Sequence, residues 1–318
     1  MPSSLVLGVN GQDGSYLAES LLRRGHFVTG VGRDAQCRYV AASDRFRYVA
    51  LDLRDTGALA KLVSEIAPDH AFHFAAVHGS SGFQYEPVVA DMFAVNVVAL
   101  HVLLEHARLR NKMMRIVYAG SSKIFPNPLS GVIDETTPAR ATCLYSIGKI
   151  AARDLIMQYR AQHEVAATNL ILFNHESPRR PPQFLLPMIA KGIADAKADP
   201  AYRLRVQTLD FRIDWASAEE FADIAAEIAE RTDGSEFVLA SGVTHYARDI
   251  VHALFAAQGL DGNVAIIEAM PRRDAGPDFH VSLRKLEQAI GRKPECTVQE
   301  VVAAMIAADG NSLSRELV

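Results

Sequence analysis

Cysteines are few in this sequence, and they form no recognisable pattern. Cys37, Cys143 and Cys296 are far apart, odd in number and without the spacing of metal ligands. Such a set argues against a disulfide framework and is typical of a reducing compartment. The opening segment MPSSLVLGVNGQDG lacks the basic residues that begin a signal peptide, and it predicts a strand instead. We therefore expect a cytoplasmic protein that holds no metal.

Positive and negative charges are nearly balanced in this sequence, and long apolar runs are scarce. The net charge is −4, with 22% charged and 49% hydrophobic residues. This balance gives no electrostatic reason to expect nucleic acid or an anionic membrane as a partner. We also expect no apolar run of membrane-spanning length, and hence no membrane contact. The 318 residues suit one large α/β unit, or a core domain with a smaller lobe.

Short apolar runs alternate with longer segments of helical period. The predicted strands are Ser4–Val9, Phe27–Val31, Phe46–Leu51, Ala71–Ala75, Arg115–Tyr118 and Thr168–Phe173. The predicted helices between them are Tyr16–Arg24, Gly57–Ile66, Val88–Arg108 and Tyr145–Gln162. This alternation predicts an α/β fold with a parallel sheet covered by helices on both faces.

The pattern changes after Phe173, where residues 174–187 are rich in proline, arginine and histidine. Glu236–Leu239 predicts one more strand of the main sheet. We therefore predict a doubly wound parallel-sheet domain at residues 1–173, joined by residues 216–243. A smaller C-terminal lobe for the substrate is predicted at residues 174–215 and 244–318.

One predicted helix is apolar on nearly every side over Val88–Leu104, so it must be buried on more than one face. Two interpretations remain open. The helix packs between the sheet and a neighbouring helix, or it is shared with a second subunit in a homodimer or homotetramer.

The first predicted strand leads into a glycine-rich turn, and a predicted helix follows it. Gly8, Gly11 and Gly14 have the spacing G-x-x-G-x-x-G, with Gln12 and Asp13 between the last two. Glycines let the backbone approach a pyrophosphate, which the positive end of the helix favours. Because the strand and the helix are in the right places, the turn predicts a Rossmann dinucleotide site.

Two further positions bear on the choice of cofactor. Arg33 follows the second strand and suits the 2′-phosphate of NADP, whereas the adjacent Asp34 keeps NAD as the less favoured alternative. After the third strand, Asp52 and Leu53 are placed to reach the adenine. We expect NADP(H) as the cofactor.

The segment Tyr145-Ser146-Ile147-Gly148-Lys149 places a tyrosine and a lysine on one face of a predicted helix. A free tyrosine has a pKa of about 10 and is a poor base, but a nearby ammonium and a positive nicotinamide favour the phenolate. Tyr145 could then take a proton from a sugar hydroxyl as hydride leaves the carbon. Ser121 could orient the same oxygen, and Lys149 could hold the nicotinamide ribose.

Together these residues resemble an extended short-chain dehydrogenase/reductase, and more narrowly the GDP-mannose 4,6-dehydratase group. The similar stretches cover the chain from the first strand to about residue 300 and include GQDGSYLAE (Gly11–Glu19), FHFAA (Phe72–Ala76), Asn96 and its neighbours, YSIGK (Tyr145–Lys149), LILFNHESPRR (Leu170–Arg180) and DFRIDW (Asp210–Trp215). FNHESPRR is the most specific of them.

The resemblance implies a Rossmann domain that binds NADP(H) and a C-terminal lobe that binds a nucleotide-diphosphate sugar, with a GDP-sugar favoured. It places Ala75 and Ala76 beside the cofactor. It also implies substrate contacts for Asn174, for the diphosphate arginines Arg212 and Arg273, and for Arg179, which with Arg180 forms a phosphate-binding or inter-subunit pair.

The sequence departs from this family at the residue that defines the reaction. In the dehydratases, the Ser or Thr of the triad is followed two residues later by a glutamate that removes the C5 proton. Here Lys123 holds that position, and an ammonium accepts no proton unless deep burial or positive neighbours lower its pKa. In DFRIDW, Ile213 replaces the family's basic residue, with Arg212 one place earlier.

Three interpretations follow. The first is a ketosugar reductase, oxidoreductase or epimerase that transfers hydride at C4 with Ser121, Tyr145 and Lys149. The second is a 4,6-dehydratase whose base is His78, Glu86 or a deprotonated Lys123; His78 follows the fourth strand and could face the substrate. The third is a catalytically silent regulator that binds the cofactor, and the intact triad argues against it.

Overall fold

The structure, a computed structural model, describes residues 1–313, and side chains are described up to residue 308. Residues 314–318 of the predicted C-terminal lobe therefore lie outside the described residues. The strands are β1 Ser3–Leu7, β2 Phe27–Gly32, β3 Phe46–Ala50, β4 His70–His73, β5 Arg115–Ala119, β6 Gly131–Ile133, β7 Ala167–Leu172, β8 Asn174–Glu176, β9 Leu204–Val206, β10 Arg212–Ser217, β11 Glu236–Leu239, β12 Thr244–Tyr246, β13 Ile266–Glu268 and β14 Phe279–Val281.

The helices cover most of the remaining chain. They are α1 Gln12–Arg23, α2 Thr56–Ile66, α3 Val89–Phe93, α4 Ala99–Leu109, α5 Leu144–His163, α6 Leu185–Ala198, α7 Ala218–Arg231, α8 Ala247–Ala256, α9 Gly262–Ala265, α10 Arg284–Ile290 and α11 Val298–Leu313. Short 3-10 helices form at Glu86–Val88 and Ser122–Ile124, and a π-helical turn at Ala94–Val98 joins α3 to α4.

The main sheet has seven parallel strands in the order β11-β7-β5-β4-β1-β2-β3. The chain runs outward from β1 to β3, returns to β4 beside β1, and continues to β11. The direction of winding therefore reverses between β1 and β4, where the carboxyl ends of a doubly wound sheet form a crevice for a ligand. The predicted α/β doubly wound fold is confirmed, and β11 coincides with the predicted strand Glu236–Leu239.

Apolar side chains cover both faces of this sheet. One core lies between the sheet and helices α1 and α7, and the other lies beneath α2, α4 and α5. The central strands are buried on both faces: Leu5, Val6 and Leu7 of β1 are fully enclosed. Continuous apolar strands of this kind are what a parallel sheet requires.

The segment Glu86–Leu109 corrects one expectation. By length and composition it could cross a membrane, so the expectation that no apolar run reaches that length is wrong. Within the protein, 44% of its most apolar window is buried, and the second core contains its residues Leu100, Leu103 and Leu104. The helix thus packs on the sheet, as the first of the two interpretations predicts. Its sharing with a second subunit stays a prediction.

A third core lies in the C-terminal part of the chain, apart from the main sheet. It joins α6, α8 and α11 to β10, with Trp215 and Phe255 at its centre. Three small sheets accompany it, in the orders β12-β10-β8, β13-β9 and β14-β6. The division of the chain into a sheet domain and a substrate lobe, at the residues given above, stays a prediction.

Candidate active site

The glycine-rich turn fits tightly against the end of β4. Gly8 has φ +92°, and a Cβ atom on it would lie 2.6 Å from the backbone nitrogen of Ala75. A Cβ atom on Gly14 would lie 2.2 Å from the carbonyl oxygen of Gly8. No side chain fits at either position. The tight turn ends at Gly11, directly before the first residue of α1, and a turn of this kind lets a ligand approach the backbone closely.

Helix α1 begins at Gln12, earlier than the predicted Tyr16, so Gln12 and Asp13 lie in its first turn. Both contact the segment after β7. Ser177 Oγ donates to Gln12 Oε1 at 2.9 Å, and Asp13 Oδ2 lies 3.1 Å from His175 Nε2 as an ion pair. These contacts connect the predicted cofactor turn to the FNHESPRR segment.

Asp13 and His175 each favour the charged form of the other. Burial opposes ionisation of Asp13, but the charge and hydrogen bonds of His175 and Gln12 outweigh it and hold the pKa of Asp13 at about 2. Burial likewise acts to lower the pKa of His175, and the Asp13 carboxylate raises it above the usual value. The imidazolium therefore compensates a carboxylate that would otherwise repel phosphate at the start of α1.

At the end of β2, Arg33 is exposed and its neighbour Asp34 is engaged by the protein. Asp34 Oδ2 accepts a hydrogen bond from Asn10 Nδ2 at 2.9 Å and pairs with Arg38 Nε at 2.8 Å. An arginine is thus available at the predicted ribose position, whereas the carboxylate already has partners. Asp52 pairs with Arg54 at 2.6 Å, and the Leu53 side chain is buried in the core.

Ser121, Tyr145 and Lys149 come together beyond the end of β5. Ser121 caps the 3-10 helix Ser122–Ile124, and its hydroxyl is close enough to Tyr145 to act to lower the pKa of that phenol. Helix α5 carries Tyr145 in its first turn. The start of this helix is fixed by Ser146 Oγ, which accepts hydrogen bonds from the backbone nitrogens of Thr142 and Cys143, at 2.8 and 3.0 Å. This cap fixes the turn that carries Tyr145.

Lys149 lies one helical turn further along α5, on the same face. Its Nζ donates to the carbonyl oxygen of Ala119 at 2.5 Å and lies 5.6 Å from the centre of the Tyr145 ring. Burial lowers the pKa of Lys149 to about 7, although Asp13 acts to raise it. Burial also raises the pKa of Tyr145, against the hydrogen bond from Ser121 and the charge of Arg180. The expected lowering of the Tyr145 pKa is therefore not produced by the protein groups alone.

Lys123 lies on the 3-10 helix directly after Ser121, and its backbone nitrogen donates to Ser121 Oγ at 3.2 Å. Its side chain is exposed. A lysine accepts protons near neutral pH only when it is deeply buried or crowded by cations. The burial that would make Lys123 a base is thus absent.

His78, which follows β4, lies against Tyr145, and its predicted contact with the substrate stays a prediction. The two ring centres are 4.8 Å apart, and the Tyr85 ring stacks on Tyr145 at 5.7 Å. Tyr85 was not identified from the sequence. The other base candidate there, Glu86, is exposed at the start of its 3-10 helix.

The loop that carries His78 is anchored from below. Asn96 is fully buried in the π-helical turn, and its Oδ1 accepts a hydrogen bond from the Val77 nitrogen at 2.8 Å. The Tyr118 hydroxyl donates to the carbonyl oxygen of Asn96 at 2.8 Å. Asn96 thus positions the β4 loop, which runs through Ala75 and Ala76 beside the glycine-rich turn.

The two arginines of FNHESPRR face different neighbours. Arg179 donates to Ser15 Oγ and Glu19 Oε1 at 2.9 and 2.7 Å, and its guanidinium stacks 3.9 Å from the centre of the Tyr16 ring. Its charge is thus already paired on α1. Arg180 is close enough to Tyr145 for its charge to act to lower the pKa of that phenol.

A buried carboxylate holds Arg180. Glu176 Oε2 lies 3.2 Å from Arg180 Nε, and the guanidinium stacks 3.7 Å from the centre of the Phe184 ring. Burial raises the pKa of Glu176 to about 6, although Arg180 and His175 act to lower it. Sequence reasoning identified neither Glu176 nor Phe184 individually.

The remaining predicted substrate residues lie on the C-terminal part of the chain. Asn174 is exposed on β8. Arg212 Nη1 pairs with Asp278 Oδ1 at 2.7 Å, so its charge is partly compensated. Arg273 is exposed, and its backbone nitrogen donates to Asp210 Oδ2 at 2.8 Å.

A buried network that the sequence did not reveal supports the Arg273 loop. Asp210 Oδ1 accepts from Arg248 Nη2 and from the Tyr246 hydroxyl, each at 2.6 Å. Arg248 also pairs with Glu268, whose Oε2 accepts from the Leu209 nitrogen. In the sequence, Asp210 stands out only as the first residue of DFRIDW. The positions of Tyr246 and Arg248 along the chain do not predict that they contact it.

The fold and the assembled triad define an extended short-chain dehydrogenase/reductase, an enzyme class that acts on nucleotide sugars. A family model described as GDP-mannose 4,6 dehydratase matches residues 5–305, so the chain belongs to this family. The chain is 28% identical to GDP-mannose 4,6 dehydratase 2 of Caenorhabditis elegans, over 96% of this chain and 88% of that protein. It is also 28% identical to a GDP-mannose 4,6-dehydratase of Vibrio cholerae, over 96% and 93%.

Among solved structures, the UDP-glucose 4-epimerase of Thermotoga maritima with UDP-glucose is similar, with a TM-score of 0.83 at 15% identity. The alignment covers 98% of this chain and 99% of that one. At this identity the similarity supports the fold alone, and it agrees with the strand order described above.

Proposed function

We propose that the enzyme transfers hydride between NADP(H) and C4 of a nucleotide-diphosphate sugar, as a ketosugar reductase, oxidoreductase or epimerase. A GDP-sugar is the favoured substrate because of the family. The observation that carries the proposal is an intact Ser121–Tyr145–Lys149 set beside an exposed lysine, Lys123, at the position of the dehydratase base. We further propose a cytoplasmic homodimer or homotetramer in which residues 174–215 and 244–318 bind the nucleotide sugar.

The residues at the proposed cofactor site fit a dinucleotide. Gly8 and Gly14 pack against the backbone of Ala75 and of Gly8 with no room for a side chain, and this tight turn leads into the amino end of α1, where a pyrophosphate could bind the first backbone nitrogens. When bound, the nicotinamide supplies or accepts the hydride. Within the protein, the Asp13 carboxylate acts to favour the charged form of Lys149.

Three side chains of the protein would bind the C4 oxygen, protonate it and stabilise the charge that results. Ser121 and Tyr145 hydrogen-bond to the carbonyl oxygen and orient it. Burial raises the pKa of Tyr145, so the side chain is a neutral phenol that can donate its proton to that oxygen as the ketone is reduced. Lys149 places positive charge beside the phenolate that remains, which stabilises it.

Mass spectrometry of nucleotide sugars tests the proposal. Purified enzyme is incubated with GDP-mannose or with its 4-keto-6-deoxy product, in the presence of NADP+ or NADPH. We expect the ketosugar to gain two hydrogens with NADPH, while GDP-mannose loses no water. Loss of water from GDP-mannose would overturn the proposal in favour of a dehydratase with a substituted base. Cofactor binding without any turnover would favour a silent regulator.

The preference for NADP(H) rests on Arg33. In Arg33→Ala, we expect the KM for NADPH to rise about 10-fold to 100-fold, because a charge-assisted hydrogen bond contributes about 1.5–3 kcal/mol. The KM for NADH should change little. The matched control is Arg47→Ala, an exposed arginine on β3. A parallel rise for both cofactors would instead mean that Arg33 has no role in recognising the 2′-phosphate.

A further inference from the structure

The side chain of Asn10, in the glycine-rich turn, reaches the loop after β2. Its Nδ2 donates to Asp34 Oδ2 at 2.9 Å and to the carbonyl oxygen of Gln36 at 3.0 Å, and its Oδ1 accepts from the Arg38 nitrogen at 3.0 Å. Both ends of this amide are therefore occupied. A single side chain thus connects the turn that precedes α1 to the loop that carries Arg33.

Gly32 and Tyr48 give Asn10 the space and a further contact. A Cβ atom on Gly32 would lie 3.2 Å from Asn10 Nδ2 and 2.8 Å from the Tyr48 hydroxyl oxygen, so a side chain there would push both groups from their places. The Tyr48 hydroxyl donates to the carbonyl oxygen of Asp34 at 2.6 Å. The backbone of Asp34 is thus fixed by β3, while its carboxylate is fixed by the glycine-rich turn.

Two groups hold the Asp34 carboxylate. Asn10 Nδ2 and Arg38 Nε both contact Oδ2, at 2.9 and 2.8 Å. The hydrogen bond from Asn10 lowers the pKa of Asp34, and the charge of the adjacent Arg33 acts in the same direction more weakly. Arg33 itself is exposed. A carboxylate that lost its partners would compensate the charge of Arg33 or repel a phosphate bound to it.

We propose that Asn10 is a positioning residue that sets the preference of the enzyme for NADP(H) over NAD(H). Because it holds the Asp34 carboxylate and the backbone of Arg38, it leaves Arg33 free to bind the 2′-phosphate. The exposed ion pair between Asp34 and Arg38 does not replace this contact, since such pairs contribute little and Asn10 also fixes the Arg38 backbone. This role rests on the proposed function in one respect, since it takes NADP(H) as the cofactor.

Binding of two adenosine fragments tests this role without any catalysis. Adenosine 2′,5′-bisphosphate carries the phosphate that distinguishes NADP, and adenosine 5′-monophosphate lacks it. By calorimetry, we expect Asn10→Ala to raise the Kd of the bisphosphate about 10-fold, because an unpaired carboxylate then stands near that phosphate. The Kd of the monophosphate should stay within about 3-fold of wild type. NADPH and NADH, followed by their fluorescence, should differ in the same way.

Two further variants show whether the carboxylate is responsible. Asparagine at position 34 keeps the shape of the side chain but removes its charge. When Asn10→Ala is made together with Asp34→Asn, the Kd of the bisphosphate should therefore rise only about 2-fold or less above that of Asp34→Asn alone. The matched control is Asn263→Ala, since Asn263 Nδ2 also donates to an aspartate, Asp261 Oδ1, at 3.1 Å. This control should leave both Kd values unchanged.

Three results would overturn the proposal. An unchanged ratio of the two Kd values in Asn10→Ala is the first. An equal loss of both fragments is the second, because it would assign Asn10 to the folding of the turn. The third is an effect of the same size in the Asp34→Asn protein, since Asn10 would then act through the loop backbone. The proposed cofactor preference fails on a different result, a wild type that binds NADH as tightly as NADPH, and the proposed hydride transfer is judged by ketosugar reduction alone.

Discussion

Replacing Tyr145 with phenylalanine is expected to reduce hydride transfer about 1,000-fold while leaving cofactor binding nearly intact. The change removes one oxygen atom, and the ring keeps its contacts with His78 and Tyr85. Without that oxygen, the ketone loses both a hydrogen bond and its proton donor. The effect should be seen in kcat for the 4-ketosugar, whereas the dissociation constant of NADPH, measured by its fluorescence, should stay within about 3-fold of wild type.

Tyr159→Phe is the matched control on the same helix. The Tyr159 hydroxyl donates to Glu105 Oε1 at 2.6 Å, far along α5 from the triad. Burial raises the pKa of Tyr159 to about 12, so it too is a neutral phenol. We expect this variant to keep its activity. An equal loss in both variants would mean that Tyr145 acts through packing rather than through its proton.

The strands of the main sheet could be predicted because each of them is recognisable from its own residues. A parallel strand buried on both faces is a continuous apolar run, and each predicted strand of the sheet was found within a few residues. Helix starts were less accurate. Helix α1 begins before Tyr16 because Gln12, Asp13 and Gly14 form its first turn, and a glycine there reads as a loop in the sequence.

The site was predictable only where spacing encodes it. Tyr145 and Lys149 share a helix face, so their pairing follows from the sequence alone. The ion pair Asp13–His175 could not be derived in this way, because its two residues are far apart in the sequence. The pair Arg180–Glu176 could not be derived either, because the sequence does not give the path of the turn between them. Nor could the sequence show that Arg179 turns to α1 while Arg180 approaches Tyr145.

The family to which the chain belongs and the residue at position 123 predict different reactions. The family is described as a GDP-mannose dehydratase, yet an exposed lysine occupies the position where the base is expected. Two physical outcomes are open to such a site. Either proton removal has moved to another group, or the enzyme retains hydride transfer without elimination. His78 matters in both cases, since the centre of its ring lies 4.8 Å from that of Tyr145.

Lys123→Glu is therefore expected to create dehydratase activity with GDP-mannose. A carboxylate would stand two residues after Ser121, on the 3-10 helix whose backbone is fixed by the Ser121 hydroxyl. We expect water loss to rise about 100-fold or more above the wild-type background, because a positioned general base contributes about 100-fold to 10,000-fold. The readout is the 4-keto-6-deoxy product by mass spectrometry, with NADP+ supplied and no net cofactor consumed.

Lys123→Gln separates the gain of a base from the loss of a cation. It removes the same positive charge beside His78 but accepts no proton, so it should yield no dehydration. Water loss in both variants would assign the base to another group, His78 first, that the Lys123 charge had suppressed. Water loss in neither, with NADPH-dependent reduction retained, would mean that C5 of the sugar lies out of reach of position 123. The substitution of this residue would then be a consequence of a changed reaction and not its cause.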